Sequence, residues 1–457
     1  MIRKGSRNRD MLTGSMWDKL ILFALPLAAT SILQQVFNAA DVAVVGRFVG
    51  TSAQAAVGSN GPIVNLLINL FVGMSLGTNV IISQYLGAGN LEGVKKAVHT
   101  SILVSILGGL VLAVLGQFIS DPIVEVMDVP DDAKAMAALY LRIYLMGMPV
   151  ILLYNFISAI FRSRGDTKTP LLVLFLSGVI NVILNIVFVA GLHMTVDGVA
   201  IATVVSNLVS SAVLLGILFR SRDALRVELR AMRIDLFTLK RILRVGIPAG
   251  VQGMVFSLAN ITIQRAINSL DTVVMAGSVA ANYVESFTYS VLSSFGQAVT
   301  TFVGQNCGAG NYARCRRSLG VTFLVGYSFF GVTVALLLLF ATPLLRIFNP
   351  EPEVIRYGLI RIRWMFLGHV FSLAVEVLSG YMRGFGQSLI PAVCALIFVC
   401  GIRFFWVFVV FPRNPTFSVL MAVYPVSLSI TAAVIGAAAL LTRPAARGLK
   451  RLEEQAA

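Results

Sequence analysis

Charge is what this chain has least of. Only 12% of its 457 residues are Asp, Glu, Lys or Arg, where a water-soluble globular chain carries about 25%. Histidine and cysteine are scarce too, with 3 and 4 copies. His99, His193 and His369 have no ligand partner one helical turn on, which argues against a metal centre built on them. Cys307, Cys315, Cys394 and Cys400 lack zinc-ligand spacing. Cys307 and Cys315 fall in a loop read below as cytosolic, where thiols stay reduced, so no disulfide is expected. No Gly-x-x-x-x-Gly-Lys-Ser/Thr occurs, so ATP is not evidently the fuel. Gly87-x-Gly89 follows no strand and lacks a third glycine in register, which excludes a dinucleotide loop. No Ser-His-Asp set has supporting context, nor does His or Asp cluster at one membrane face as a membrane transferase would need. The expectation is a protein that is not an enzyme and has no cofactor.

What is abundant is apolar surface: 57% of residues are hydrophobic and the mean hydropathy is +0.85. No arrangement in water hides that much, so the solvent is lipid. A spanning helix needs about 20 mainly apolar residues. Twelve stretches qualify, near 17–41, 56–83, 97–120, 136–160, 170–192, 197–219, 243–268, 274–304, 318–341, 356–381, 389–411 and 417–441. The runs are too long for barrel strands and lack their two-residue alternation. Basic residues precede the first run as in a signal peptide, but the run is too long and has no clear small-residue cleavage site, so it is read as a span.

A net charge of +15 suggests nucleic acid until its placement is considered. The positive charges sit at the ends of apolar runs, as the positive-inside rule expects: Arg3, Lys4, Arg7, Arg9 and Lys19 before the first, Lys95 and Lys96 after the second, Arg162, Arg164 and Lys168 after the fourth. Arg220 to Arg244 follow the sixth, Arg314, Arg316 and Arg317 the eighth, and Arg443, Arg447, Lys450 and Arg451 the last. The loop after the third run is acidic, with Asp121, Glu125, Asp128, Asp131 and Asp132. Both termini and the even-numbered exits are therefore expected in the cytosol, and no nucleic-acid partner is.

Two polar interruptions recur. Gln84-x-x-Gly-Ala-Gly-Asn returns from Gln305, and Arg162-x-x-Gly-x-x-x-x-Pro returns from Arg383, each 221 residues on. One register linking two separated motifs makes one half of the chain a repeat of the other. Both Gly-Ala-Gly-Asn copies are followed by basic residues, so the halves share an orientation and each holds an even number of spans. The fold class expected is all-α integral membrane, with about twelve transmembrane helices in two parallel six-helix repeats forming two lobes around a central cavity. The expected boundaries are an N-terminal lobe over 1–220, a cytosolic amphipathic linker over 221–241, a C-terminal lobe over 242–442 and a cytosolic tail over 443–457. Pro26 and Pro248 mark the first span of each half, as do Asn38 and Asn260, with an offset of 222. Gly73-x-x-x-Gly77 suits close helix contact, or ordinary packing.

Polar residues inside spans carry the functional signal, because each is costly in lipid. Gln34, Asn38 and Asp41 share one helical face. Ser177, Asn181 and Asn185 form a second stripe, and Thr203 with Asn207 a third. Together they suggest a hydrated pocket around Asp41 that takes a proton or a sodium ion; the alternative is that Asp41 bonds Asn181 or a helix end and nothing more. In the second half, Glu285 begins a face continuing through Tyr289, Ser293 and Gly296. Glu376 shares a face with His369, Ser372 and Arg383. Either Glu accepts a proton or attracts a cationic substrate, or is locked in an ion pair, for instance with Arg403. Gln264, Arg265 and Arg403 are further buried candidates.

These residues resemble the MATE (multidrug and toxic compound extrusion) family of secondary transporters, in its prokaryotic, DinF- or NorM-like form. The resemblance covers nearly the whole chain and rests on Pro26 with Asp41, the two Gly-Ala-Gly-Asn turns, the two Arg-x-x-Gly…Pro loops, and Asp197-Gly198-Val199-Ala200 leading to Thr203. It implies two six-helix lobes in a V and exchange of an incoming cation for an outgoing organic compound, cationic or amphipathic. In DinF-like relatives the cation site draws on an Asp of the first span, Asn and Asp of the fifth and Thr of the sixth. Asp41, Asn181 and Thr203 match, while Asn185 stands where the second Asp would be. A two-carboxylate proton relay is thereby put in doubt, leaving sodium at Asp41, Asn181 and Thr203, or Asp41 alone as proton carrier. NorM-like relatives place carboxylates in the second lobe, a part Glu285 and Glu376 would play. The expected partners are a small organic substrate and the bilayer of a bacterial or archaeal cytoplasmic membrane, with the monomer as the working unit. The alternatives are a flippase for a lipid-linked or amphipathic metabolite on the same scaffold, which Arg265 and Arg403 keep open, and a membrane protein that transports nothing.

Overall fold

The computed structural model describes residues 11–126, 129 and 131–456. Arg3, Lys4, Arg7, Arg9 and Asp128 of the charge argument lie outside them. Among the described residues every regular element is helical. The first half runs α1 (Met16–Phe48), α2 (Thr51–Gly87), α3 (Leu91–Val126), α4 (Asp131–Met146), α5 (Met148–Ser163), α6 (Lys168–Asn185) and α7 (Val196–Arg220). The second runs α8 (Leu236–Asn268), α9 (Thr272–Gly308), α10 (Tyr312–Leu339), α11 (Ala341–Phe348), α12 (Pro352–Gly384), α13 (Leu389–Cys394), α14 (Gly401–Phe405), α15 (Phe417–Met421), α16 (Val423–Thr442) and α17 (Pro444–Ala456).

Ten stretches are long and apolar enough to cross a bilayer, and α4 with α5 makes an eleventh if the pair, bent by 50°, is one span. The bend falls at Gly147, with Pro149 in the first turn of α5; proline supplies no amide hydrogen there and so ends the preceding ladder. The twelfth expected span is α9. It is 37 residues long, but Ser, Thr, Gln, Asn and Glu285 along it dilute its hydropathy. All twelve expected spans are therefore present as helices.

The repeated motifs are helix-ending turns. Gly89 and Gly310 have φ of +67° and +72°, and Gly165 and Gly386 have +88° and +81°, a left-handed region that glycine enters without penalty. The amide after each glycine bonds back into the last turn: Asn90 to Tyr85, Asn311 to Asn306, Asp166 to Phe161 and Gln387 to Met382. This is the glycine-capped C-terminus that satisfies otherwise orphaned carbonyls. Asn90 then caps α3, its Oδ1 accepting from the Gly93 amide at 2.8 Å.

Close packing forms two compact units. Of the described residues, one holds those within 29–86 and 90–246; the other holds those within 11–28, 87–89 and 247–456. The chain passes from one set to the other within α1 and again within α8, next to Pro26 and Pro248 in turn. In the first of these units, Gly77 of α2 lies against Ile242 and Gly246 of α8. In the other, Gln305 and Asn306 bond the backbone of Met11.

The segment expected as a surface linker differs in detail. Residues 236–241 already belong to α8, and only Leu229–Ala231 forms a short 3-10 turn before it. Leu225 and Val227 are buried in the apolar cluster of Val94, Val98 and Leu218. His99 accepts from the Glu228 amide and Thr100 from the Asp235 amide, which fastens the segment to α3.

Candidate functional site

Asp41 belongs to the long first helix, 6% exposed. Its neighbour α6 is brought in by Gly178, which has no side chain where the Phe37 ring of α1 lies: a Cβ there would stand 1.9 Å from the ring. Phe37 is one turn before Asp41, and Gly178 two turns before Asn185, so this contact sets their register. Asn185 Nδ2 donates to Asp41 Oδ1 at 2.5 Å. The turn after α6 is closed by Asp197, whose Oδ1 accepts from both the amide and the hydroxyl of Thr195. That returns the chain as α7 and sets the Thr203 hydroxyl 3.3 Å from Asp41 Oδ2. Asn181 completes the group, donating to Thr203 Oγ1 at 3.4 Å and accepting from Asn185 at 3.4 Å.

Asp41, Asn181, Asn185 and Thr203 are thus one cluster. Among the described residues no Lys, Arg or His lies within ion-pair distance of Asp41. Asn185 Oδ1 is buried and accepts no hydrogen bond. Tyr140 and Tyr144 of α4 stack at 6.0 Å and lie within electrostatic range of Asp41; their sequence offered no sign of it. Immediately after Asn185 the helix widens into a π-helical stretch, Ile186–Gly191, a feature common at functional sites.

The cluster offers one carboxylate and neutral oxygens from Asn181, Asn185 and Thr203. Hard oxygen ligands with a single negative charge suit a monovalent cation; divalent ions usually recruit more carboxylates. Among the described residues no group of three or more His, Cys, Asp or Glu is placed to hold a metal. The unsatisfied Asn185 oxygen fits a cation ligand, because a buried acceptor left without a partner costs about 1–3 kcal/mol.

Other candidates lie apart from this cluster. Asn207 is one turn beyond Thr203 and donates to the Thr203 carbonyl at 2.8 Å, not to Asp41. Gln34 and Asn38 are exposed and make no bond to the cluster. Gln264 donates to Asn268 on its own helix at 2.8 Å. Arg265 is exposed, not buried.

Both second-half carboxylates have basic partners. Glu285 is buried and meets Arg361, with Nη2 2.8 Å from Oε1 and Nε 3.3 Å from Oε2. Arg361 also donates to Ser278 at 2.6 Å and Asn282 at 2.9 Å. The arginine anticipated as its partner, Arg403, is not the one. Glu376 accepts from the Tyr289 hydroxyl at 3.1 Å and lies 3.8 Å from Arg383. Arg403 is 2% exposed, donates to Asn260 at 2.6 Å and Ser427 at 3.3 Å, and stands 4.7 Å over the Tyr424 ring.

An all-helical membrane protein of two repeats is of the class of multi-span membrane transporters. The MatE family model matches residues 26–187 and again 248–409, once in each repeat. The chain belongs to the MatE family of membrane transporters. It is 31% identical to the probable multidrug resistance protein YoeA of Bacillus subtilis (strain 168), over 85% of this chain and 86% of that protein. It is 25% identical to a protein of Shewanella oneidensis (strain MR-1) named FAD transporter, over 70% of this chain and 72% of that one. Its fold matches a MOP superfamily transporter of Pyrococcus furiosus, reported with a binding pocket of reverse polarity, at a TM-score of 0.88 and 21% identity, covering 96% and 98% of the two chains.

Proposed function

We propose that this chain is a cation-coupled antiporter that exports an organic compound by alternating access, with Asp41 as the residue that carries the coupling ion. The observation behind this reading is the Asp41 cluster: a buried carboxylate held by Asn185 and Thr203, with no basic partner among the described residues and a free acceptor at Asn185. A proton neutralises the carboxylate directly. A sodium ion is bound by the oxygens of Asp41, Asn181, Asn185 and Thr203. Either removes a charge from the interior of a span, and removing that charge is what biases one conformation against another.

One positive charge entering down a potential of about 100 mV, negative inside, supplies about 2.3 kcal/mol, enough for roughly a forty-fold gradient of a neutral solute. Steeper export draws on a pH or sodium gradient as well. The positive charge at the even-numbered exits favours cytosolic termini in a bacterial or archaeal cytoplasmic membrane, with the monomer as the transporting unit. A cationic or amphipathic substrate is what the family resemblance favours. The pairing of Glu285 with Arg361 and of Glu376 with Arg383 speaks against these two carboxylates as its receptors.

The test is flux in vesicles of purified protein, with pH and sodium gradients imposed separately and ethidium as probe. Asp41→Asn, which keeps the shape and removes the charge, is expected to abolish gradient-driven movement in both arms. Undiminished movement in Asp41→Asn would eliminate the role given to this carboxylate.

A further inference from the structure

The repeat has a second address to compare. The register shared by Arg162 and Arg383 continues through the starts of α7 and α15, Val196 and Phe417, at the same offset of 221. In that register Thr203 corresponds to Tyr424 and Ser206 to Ser427. Along the first span of each half Asn38 corresponds to Asn260, and Asp41 to Ile263. Arg403 corresponds to Val182, next to Asn181. Its contacts are Asn260, Ser427 and Tyr424. The second repeat thus assembles a buried charge from the same three spans, with the sign reversed and the carboxylate replaced by isoleucine.

Arg403 also differs from the other buried arginines of its unit. Arg361 and Arg383 each face a glutamate. Among the described residues no carboxylate is within ion-pair distance of Arg403, which has only an amide oxygen, a hydroxyl and an aromatic face. Neither of its two hydrogen bonds uses Nη2. A buried charge with neutral company alone is costly, and guanidinium is the side chain that binds carboxylate and phosphate in a planar fork. The helix on either side is irregular: π-helical stretches at Ala395–Cys400 and Trp406–Val410 flank Arg403, and such turns recur at functional sites.

We infer that Arg403 is the anchor of an anion-recognition site in the second repeat, and that the transported compound carries a carboxylate or phosphate group. This deepens the transport reading and rests on it for the movement of the compound, but the binding stands without it. Arg403 is buried in this conformer, while its partner Asn260 is exposed.

The experiment is equilibrium binding to the purified full chain in detergent, followed by fluorescence anisotropy. Carboxyfluorescein is the carboxylate probe, FAD the phosphate probe and ethidium the cationic control. At least one anion is expected to bind the wild type. Arg403→Gln should weaken it tenfold or more and leave ethidium unchanged, and Arg403→Lys should recover part of the loss. Asn260→Asp is the second variant. It is isosteric and sets a carboxylate beside the guanidinium, so it should neutralise the site from within and also abolish anion binding. Failure of both anions to bind the wild type overturns the inference. So does wild-type affinity in Arg403→Gln or, should that variant not fold, in Asn260→Asp. No gradient enters these measurements. Anion binding that depends on Arg403 in a protein showing no coupled flux would sink the antiport reading alone, and coupled ethidium flux without anion binding would sink this one alone.

Discussion

Asn185 donates its amide to Asp41 across 2.5 Å while its own carbonyl oxygen, fully buried, accepts nothing. The residue therefore has two separable parts. The amide hydrogen steadies the carboxylate, and the idle oxygen is available to a cation. Asn185→Ala also removes the idle oxygen, and a contact to a charged group contributes about 1.5–3 kcal/mol, so sodium affinity is expected to fall roughly tenfold to a hundredfold. A proton, no longer opposed by the amide that favours the ionised carboxylate, should bind no more weakly. The readout is the sodium concentration giving half-maximal flux, with the proton concentration as the contrasting arm. An unchanged value would show that the amide is incidental.

Asn185→Asp tests the single-carboxylate reading separately. Two carboxylates this close cannot both hold a charge without an ion between them. The variant is expected to move a second cation per cycle, seen as a steeper dependence of flux on the imposed pH or sodium gradient. The same slope as in the wild type would mean that the added group stays silent.

The Glu285–Arg361 pair is expected to serve stability. Breaking one side of a buried pair costs about 3–5 kcal/mol, whereas replacing both partners by apolar residues is often near neutral. Glu285→Leu and Arg361→Met should each lower the melting temperature of the detergent-solubilised protein, and the double variant should recover most of the loss. If the double variant is stable yet fails to move ethidium, the pair takes part in transport.

The spans were legible in the sequence because a bilayer imposes a length and a composition on each helix. The four-residue spacing of Asn181 and Asn185 likewise announced a shared face. Periodicity says where a side chain points along its own helix and not what stands opposite. Gln34 and Asn38 share a face with Asp41, but the bonds from α6 and α7 reach only Asp41. The partner of Glu285 was hidden for the same reason: Arg361 is 76 residues away, and nothing in one dimension sets it above Arg403. The hydrogen-bonding state of Asn185 Oδ1 depends on three helices at once and has no sequence signature.

Gly178 is expected to control the Asp41 site through packing alone. Its Cβ would stand 1.9 Å from the Phe37 ring, so Gly178→Ala must displace that ring or part α1 from α6, at a cost of about 1–3 kcal/mol. Coupled flux should fall with the separation of Asp41 from Asn185. Phe37→Ala should relieve the clash, making the double variant more active than Gly178→Ala. Additive losses instead would mean that the ring and the glycine act independently.

Gly77 and Gly246 test whether close contact of α2 with α8 holds their unit together. A Cβ on Gly77 would meet the Ile242 carbonyl at 2.3 Å, and one on Gly246 would meet the Met74 backbone at 2.7 Å. These are rigid backbone atoms with no rotamer to escape into, so the helices themselves must part. Gly77→Ala and Gly246→Ala should each lower the melting temperature, with a cost of about 1–3 kcal/mol. Gly216 of α7 has open space around it and is the control. There alanine adds no clash and gains about 0.8–1.0 kcal/mol of helix propensity, so Gly216→Ala should melt no lower than the wild type. Equal behaviour of all three variants would mean that the α2–α8 contact yields easily and that the small residues at Gly73, Gly77 and Gly246 do not define it.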